Sequence, residues 1–212
     1  MNKSLLHFFL IATAVFHSCS DQSGQISTCA IHLKNARIAF NSYVQNDNKS
    51  ALSTSLNEIQ GAMSCPGTRQ PAIMLKISLL SLLNKFQQGA DFVDSMATKD
   101  FKMPYQKEMY SKFFKAMVFD SKGDTVQRDK LFHEDASNIF NYIKREKLPK
   151  DSVNEDAIYD LFFIESRFLD SSLLAVKIDS VASLYSKNSD FFNALKSSFY
   201  DTSDYRLRPQ GK

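Results

Sequence analysis

Apolar residues recur at steps of three and four along almost the whole chain, and little interrupts them. From Thr28 they fall at Ala30, Leu33, Ala36, Phe40, Tyr43 and Val44, one stripe of a helix. From Ser50, a residue suited to cap a second helix, they fall at Leu52, Leu56, Ile59, Ala62 and Met63, up to the breaker Cys65-Pro66-Gly67. Only 6 glycines and 5 prolines occur in 212 residues. Strands and tight turns would need more of both, so long helices with few connections are predicted. Trp is absent while Phe (18) and Tyr (8) are plentiful, so the core must be built on Phe, Leu and Ile.

Further along, Pro71 is suited to open a third helix, with Ile73, Met74, Ile77, Leu79, Leu80, Leu82 and Leu83 spread nearly all round it. A helix of that kind is central and buried on more than one side. Gln87-Gln88-Gly89 reads as its end, and a shorter helix carries Phe92, Val93 and Met96. Pro104 starts a helix with Tyr105, Met109, Phe113, Ala116 and Met117 that stops at Lys122-Gly123-Asp124. A long helix from about Val126 to Lys147 turns Leu131, Phe132, Ala136, Ile139, Phe140 and Ile143 inward, and Leu148-Pro149 ends it. After Asp151-Ser152 comes a hairpin with Ile158, Leu161 and Phe162 on one helix and Leu174, Ile178 and Val181 on the other. A short helix with Phe191, Leu195 and Phe199 closes the fold.

The first two helices share a short loop and so pack antiparallel, which sets Cys29, at the start of one, beside Cys65, at the end of the other. A disulfide is expected there, contributing roughly 3–4 kcal/mol on the chain-entropy model. The alternative is a pair of buried thiols.

Ahead of the helices, Met1 to Cys19 has a single cation, Lys3, then an apolar run from Leu5 to Phe16, then a cysteine flanked by serines. That is the layout of a secretory signal, too short to span a bilayer permanently. Phe16-His17-Ser18-Cys19 resembles the lipobox of bacterial lipoproteins, with Phe16 and His17 where that family prefers Leu and a small residue. The resemblance implies cleavage before Cys19 and a lipid on it. Ordinary cleavage after Ser20, with Ser18 and Ser20 as the small pair, is the rival. Ser20 behind the cysteine is similar to lipoproteins sorted to the outer membrane, facing the periplasm or the surface. The segments expected are a signal peptide (1–18), a lipidated polar tether (19–27), a helical-hairpin domain (28–200) and a polar, disordered tail (201–212).

Gly89 and Gly123 lie 34 residues apart, each after a helix that a proline opens. With Gly123-Asp124 at the turn, Ala116 within the first helix and Phe119 three later, this resembles the tetratricopeptide repeat. Arg128 stands where that family has a small residue. The resemblance implies an all-α fold of antiparallel hairpins stacked as a short tetratricopeptide-like solenoid; the alternative is an irregular helical bundle. In such a stack the first helix of each unit lines the concave face. Tyr110 and Phe114, off the stripe of Phe113 and Met117, are then the candidate partner-binding side chains. The doublets Phe113-Phe114, Phe162-Phe163 and Phe191-Phe192 also have a structural reading, as residues of helices buried on two faces.

Charge and motifs narrow the function classes. Without Lys3 the chain has 25 basic and 23 acidic residues, net +2, interspersed, which is no nucleic-acid footprint. Outside the signal there are two histidines, His32 and His133, and Asp129 with His133 is the one i,i+4 pair that could share an ion; a solvated face is the expectation, with no metal and no cofactor. Asp156 and Asp160 project together from a helix that also carries Glu155 and Glu165, an arrangement a general acid and base could use; first-turn acids favoured by the helix dipole, on a wet face, are the expectation. The sequence contains no nucleophile elbow, phosphate loop or zinc-binding histidine pair. The expectation is a lipid-anchored envelope scaffold that binds another envelope protein or peptide and is not an enzyme. An immunity-type lipoprotein that neutralises a toxin is a narrower form. The alternative class is an envelope hydrolase using Asp156, Asp160 and Glu165.

Overall fold

The computed structural model describes residues 28–146, 154–185 and 188–200. The signal (1–18), the tether with Cys19 (19–27), the Leu148-Pro149 and Asp151-Ser152 breaks and the tail (201–212) lie outside the described residues. Among those described the chain is helical throughout: α1 Thr28–Asn46, α2 Lys49–Ala62, α3 Pro66–Leu82, α4 Phe86–Ser95, a 3-10 turn Thr98–Asp100, α5 Gln106–Ser121, α6 Thr125–Arg145, α7 Glu155–Glu165, α8 Ser171–Ala182 and α9 Ser189–Tyr200. The all-α, hairpin-based class is as the periodicity predicts. Two compact units divide the chain between Ser111 and Lys112, inside α5.

In the first unit α1 and α2 form a close antiparallel hairpin. Ala36, Ile59 and Ala62 are fully buried, and small residues bring the backbones together. Ser55 Oγ donates to the Ala36 carbonyl at 2.8 Å in the buried seam. Cys29 and Cys65 are joined in a disulfide, Cα–Cα 6.1 Å, as the antiparallel geometry requires. The loop reverses through Asp47, which takes a left-handed φ of 51°. The residue ahead of α2 is Asn48, not Ser50; Ser50 lies in the first turn and its hydroxyl donates to Asn48 Oδ1 at 2.7 Å.

Two expected boundaries move. Proline opens α3, but it is Pro66, directly behind Cys65, while Pro71 sits inside the helix. At that depth its ring removes the donor for the Gly67 carbonyl, a cost the burial of Ile73, Ile77, Leu79 and Leu80 outweighs. The expected end at Gly89 is also corrected. α3 stops at Leu82, Asn84 takes the left-handed turn (φ 54°), and Gly89 is buried in the middle of α4. Gly123 does occupy a turn, at φ 78°. The two glycines are therefore not equivalent, and their 34-residue spacing does not mark a pair of like turns. An asparagine side chain tolerates the left-handed region well enough to take the role assigned to Gly89.

The second unit begins in α5 and crosses the Gly123 turn. Asp124 caps α6, its Oδ1 accepting from the Gln127 N–H at 3.0 Å. Arg128 clamps the same turn, donating to Asp120 (2.7 Å) and to its neighbour Asp129 (2.7 Å). The basic residue standing where the repeat family has a small one thus bridges two helices. α7, α8 and α9 close on a core of Ile158, Phe162, Leu174, Ile178, Phe192 and Leu195. Asn154 and Asp170 cap α7 and α8 through their side chains. Phe140, expected inward, is 42% exposed; the Lys144 ammonium lies 4.1 Å from its ring centroid.

Candidate functional site

α7 is the element whose polar side chains are placed least like an ordinary surface helix. Its sequence, EDAIYDLFFIE, leaves room for few solvent-facing positions. Asp156 is exposed, but Asp160 (6%) and Glu165 (7%) are buried. The wet face expected for these acids is therefore corrected for two of the three. The reason is the aromatic bulk at Phe162 and Phe163, which draws both flanks of the helix inside. Glu165 Oε1 is paired with Lys177 Nζ of α8 at 2.6 Å, so one of the buried carboxylates fastens two helices.

Beyond Glu165 the chain turns tightly. The Arg167 N–H donates to the Ile164 carbonyl (3.0 Å) and the Leu169 N–H to the Glu165 carbonyl (2.9 Å). This turn carries the Arg167 guanidinium onto aromatic faces. Its Cζ lies 4.3 Å from the Phe163 ring centroid and 5.7 Å from that of Phe113. Those two rings are themselves 5.4 Å apart, and Phe113 also meets Phe132 at 6.4 Å. Arg167 Nε is buried and meets no hydrogen-bond acceptor among the described residues. Burial pulls the guanidinium pKa down to about 10, against the opposing influence of Tyr159. The Tyr159 hydroxyl is pushed above its ordinary value, chiefly by burial, with Arg167 acting the other way and Asp160 adding to the rise.

The other sequence candidates separate from this cluster. Phe114 is 0% and Tyr110 5% exposed, so neither faces outward as a groove residue would. At 100° per residue Met109, Tyr110, Phe113, Phe114, Ala116 and Met117 fill an arc of about 160°, and Tyr110 and Phe114 lie within it, not opposite it. Tyr110 stacks on Phe101 at 6.2 Å, and Phe114 meets Phe113 edge-on at 5.5 Å. Phe162 and Phe163 are likewise both buried, the structural reading of the doublets. His32 Nδ1 pairs with Glu58 Oε2 at 2.7 Å, and the His133 ring packs on Phe168 at 4.1 Å. Asp129 is taken by Arg128. Among the described residues no group of three or more His, Cys, Asp or Glu side chains is placed to hold a metal ion.

Sequence reasoning passed over Arg167. A signal for it existed: it follows Phe163 by four positions, the helical spacing at which a cation lies over a ring. Compared with protein-family models, curated proteins and solved structures, the chain matches none. The class that the fold itself defines is an all-α protein of helical hairpins, the first of them closed by a disulfide.

Proposed function

We propose that this protein is an exported, lipid-anchored helical protein of the cell envelope that works by binding another envelope component, not by catalysis. The observation that carries the reading is the Cys29–Cys65 disulfide. Structural disulfides persist in oxidising compartments, and this one pairs the two cysteines that remain if Cys19 carries lipid. The signal-like segment ending at Ser18-Cys19 supports the same compartment. Binding is preferred to hydrolysis because the acids offered for general acid/base work are differently engaged. Asp156 faces solvent, Asp160 is buried, and Glu165 is ion-paired with Lys177.

Cell fractionation with metabolic palmitate labelling tests the anchor. Wild-type protein should take up label and sediment with membranes, whereas Cys19→Ala should lose the label and become soluble. A mature chain beginning at Asp21, or a Cys19→Ala protein that stays membrane-bound, would sink the proposal.

A further inference from the structure

Of the large apolar side chains exposed among the described residues, Leu173 (53%), Val176 (66%) and Leu184 (72%) gather on α8. We propose that this face of α8 is a homodimer surface, which pairs with the same face of a second copy of the chain, antiparallel about Ser180. The pairing stands whether or not the chain is lipid-anchored.

What α8 buries fixes which face is left. Leu174, Ala175 and Ile178 are its buried residues, and Leu174 and Ile178 join the core shared with α7 and α9. At 100° per residue Leu173, Val176, Ser180 and Leu184 then lie within an arc of about 80° on the opposite side. The coil continues to Leu184, whose N–H donates to the Val181 carbonyl at 3.0 Å. Exposed aliphatic side chains this close form one patch, and such a patch marks an interaction site.

The layout of the patch argues for a second copy as its occupant. Val176 stands four positions before Ser180 and Leu184 four after, about 6 Å along the axis on either side. A two-fold axis at Ser180 therefore sets Val176 of each copy against Leu184 of the other, the reciprocal pairing that an isologous interface requires. The small, exposed Ser180 at the crossing lets the two helices approach closely. Charge permits the pairing too. Lys177, beside the stripe, is held by Glu165 of α7 at 2.6 Å, and Asp179, further round, by Lys196 of α9. Both charges are neutralised within one copy, so two like faces meet without repulsion. An acidic partner or an anionic membrane would need unpaired cations on this face, and Lys177 is already paired. A single helix of 12 residues gives a small interface, so the pairing is reversible and is best read by trapping it.

Ser180→Cys in the full chain, treated with a short bis-maleimide, provides the trap. Cys29 and Cys65 are tied to each other, and wild type treated in the same way controls for Cys19. Ser180→Cys should give a covalent dimer in a yield well above that of wild type, whether the chain is recovered with membranes or free of them. Val176→Lys or Leu184→Glu, added to Ser180→Cys, should cut that yield by about tenfold or more, since each buries an unpaired charge in the interface. Carried together they should restore most of it, because the two introduced charges then face each other with opposite sign. These positions are exposed in the single chain, so thermal unfolding followed by circular dichroism should stay cooperative in every variant. A dimer yield no higher than that of wild type overturns the proposal, and so does an adduct with a different protein in place of the dimer. Single-charge variants that cross-link as well as Ser180→Cys alone overturn the α8 face. A double-charge variant that stays as low as the single ones overturns the pairing about Ser180.

Discussion

Gly61 has no room for a methyl group. A Cβ there would lie 2.4 Å from Cδ2 of the His32 ring, which covers the α2 backbone while its Nδ1 holds Glu58. Two effects compete in Gly61→Ala. Alanine gains roughly 0.5–1 kcal/mol over glycine inside a helix, and overpacking costs roughly 1–3 kcal/mol. The clash should win in the wild-type background, because the ring can leave only by giving up Glu58. In a His32→Ala background the sign should reverse, so that Gly61→Ala stabilises. Urea unfolding of the four proteins measures this; additive changes would mean that the ring does not set the cost. A second residue-scale prediction concerns Phe114. Fully buried, it should cost roughly 3–5 kcal/mol on truncation to alanine, as much as Phe113. A loss under 1 kcal/mol (roughly the cost at an exposed site) would restore it to the surface. The sequence made both rings visible as a doublet but could not assign the second one. A helical wheel gives the width of an apolar arc, not how much of it neighbouring elements will cover.

At the scale of elements, helix existence was legible and helix ends were less so. The 3.6-residue period survives substitution of any one position, whereas an end depends on one or two residues with several chemical solutions. Glycine suggested the turn after α3, yet asparagine supplies it; Pro71 suggested the start of α3, yet Pro66 takes that place. Long-range ion pairs are harder still, since nothing local links Arg69 to Asp100. Arg69 at the start of α3 holds Asp100 through two bonds, Nε–Oδ1 at 2.8 Å and Nη2–Oδ2 at 3.2 Å, and Asp100 Oδ2 also accepts from the Ala97 N–H at 3.1 Å. The Arg69 hydrogen bond holds the Asp100 carboxyl below its ordinary pKa, with the Ala97 N–H and the charges of Arg69 and Lys99 helping against burial. Because the folded value is depressed, the native state binds fewer protons than the unfolded chain between the two values. The stabilisation is therefore complete above the ordinary carboxylate range and is lost as pH falls through the folded value. Asp100→Asn should be less stable than wild type at neutral pH, and the gap should narrow in acid. Parallel acid-unfolding curves would mean that the pair contributes nothing.

For the molecule as a whole, the disulfide is where sequence, topology and stability meet. The pairing was legible because two helices joined by a short loop have one antiparallel arrangement, and that arrangement puts the start of α1 beside the end of α2. The aromatic seat of Arg167 was legible only in part: Phe163 stands four positions before it, whereas Phe113 comes from α5, and no local pattern encodes that meeting. Cys29 and Cys65 are 36 positions apart, and closing such a loop removes entropy from the unfolded chain worth roughly 3–4 kcal/mol. Both cysteines belong to the unit that ends at Ser111, so the effect of reduction should be local before it is global. Hydrogen exchange on the full chain, with and without reductant, resolves the two. In reductant, amides in the middle of α1 and α2 should exchange faster, by a factor that approaches the full loop-closure term of about two to three decades. Amides in α7 and α8, which pack on their own core of Ile158, Phe162, Leu174 and Ile178, should change far less. The control is Cys65→Ala, which should exchange like the reduced wild type and be insensitive to reductant. If α7 and α8 lose as much protection as α1 and α2, the chain opens as one cooperative body and the disulfide stabilises all of it equally. If neither pair of helices responds, the bond contributes no stability to the folded chain.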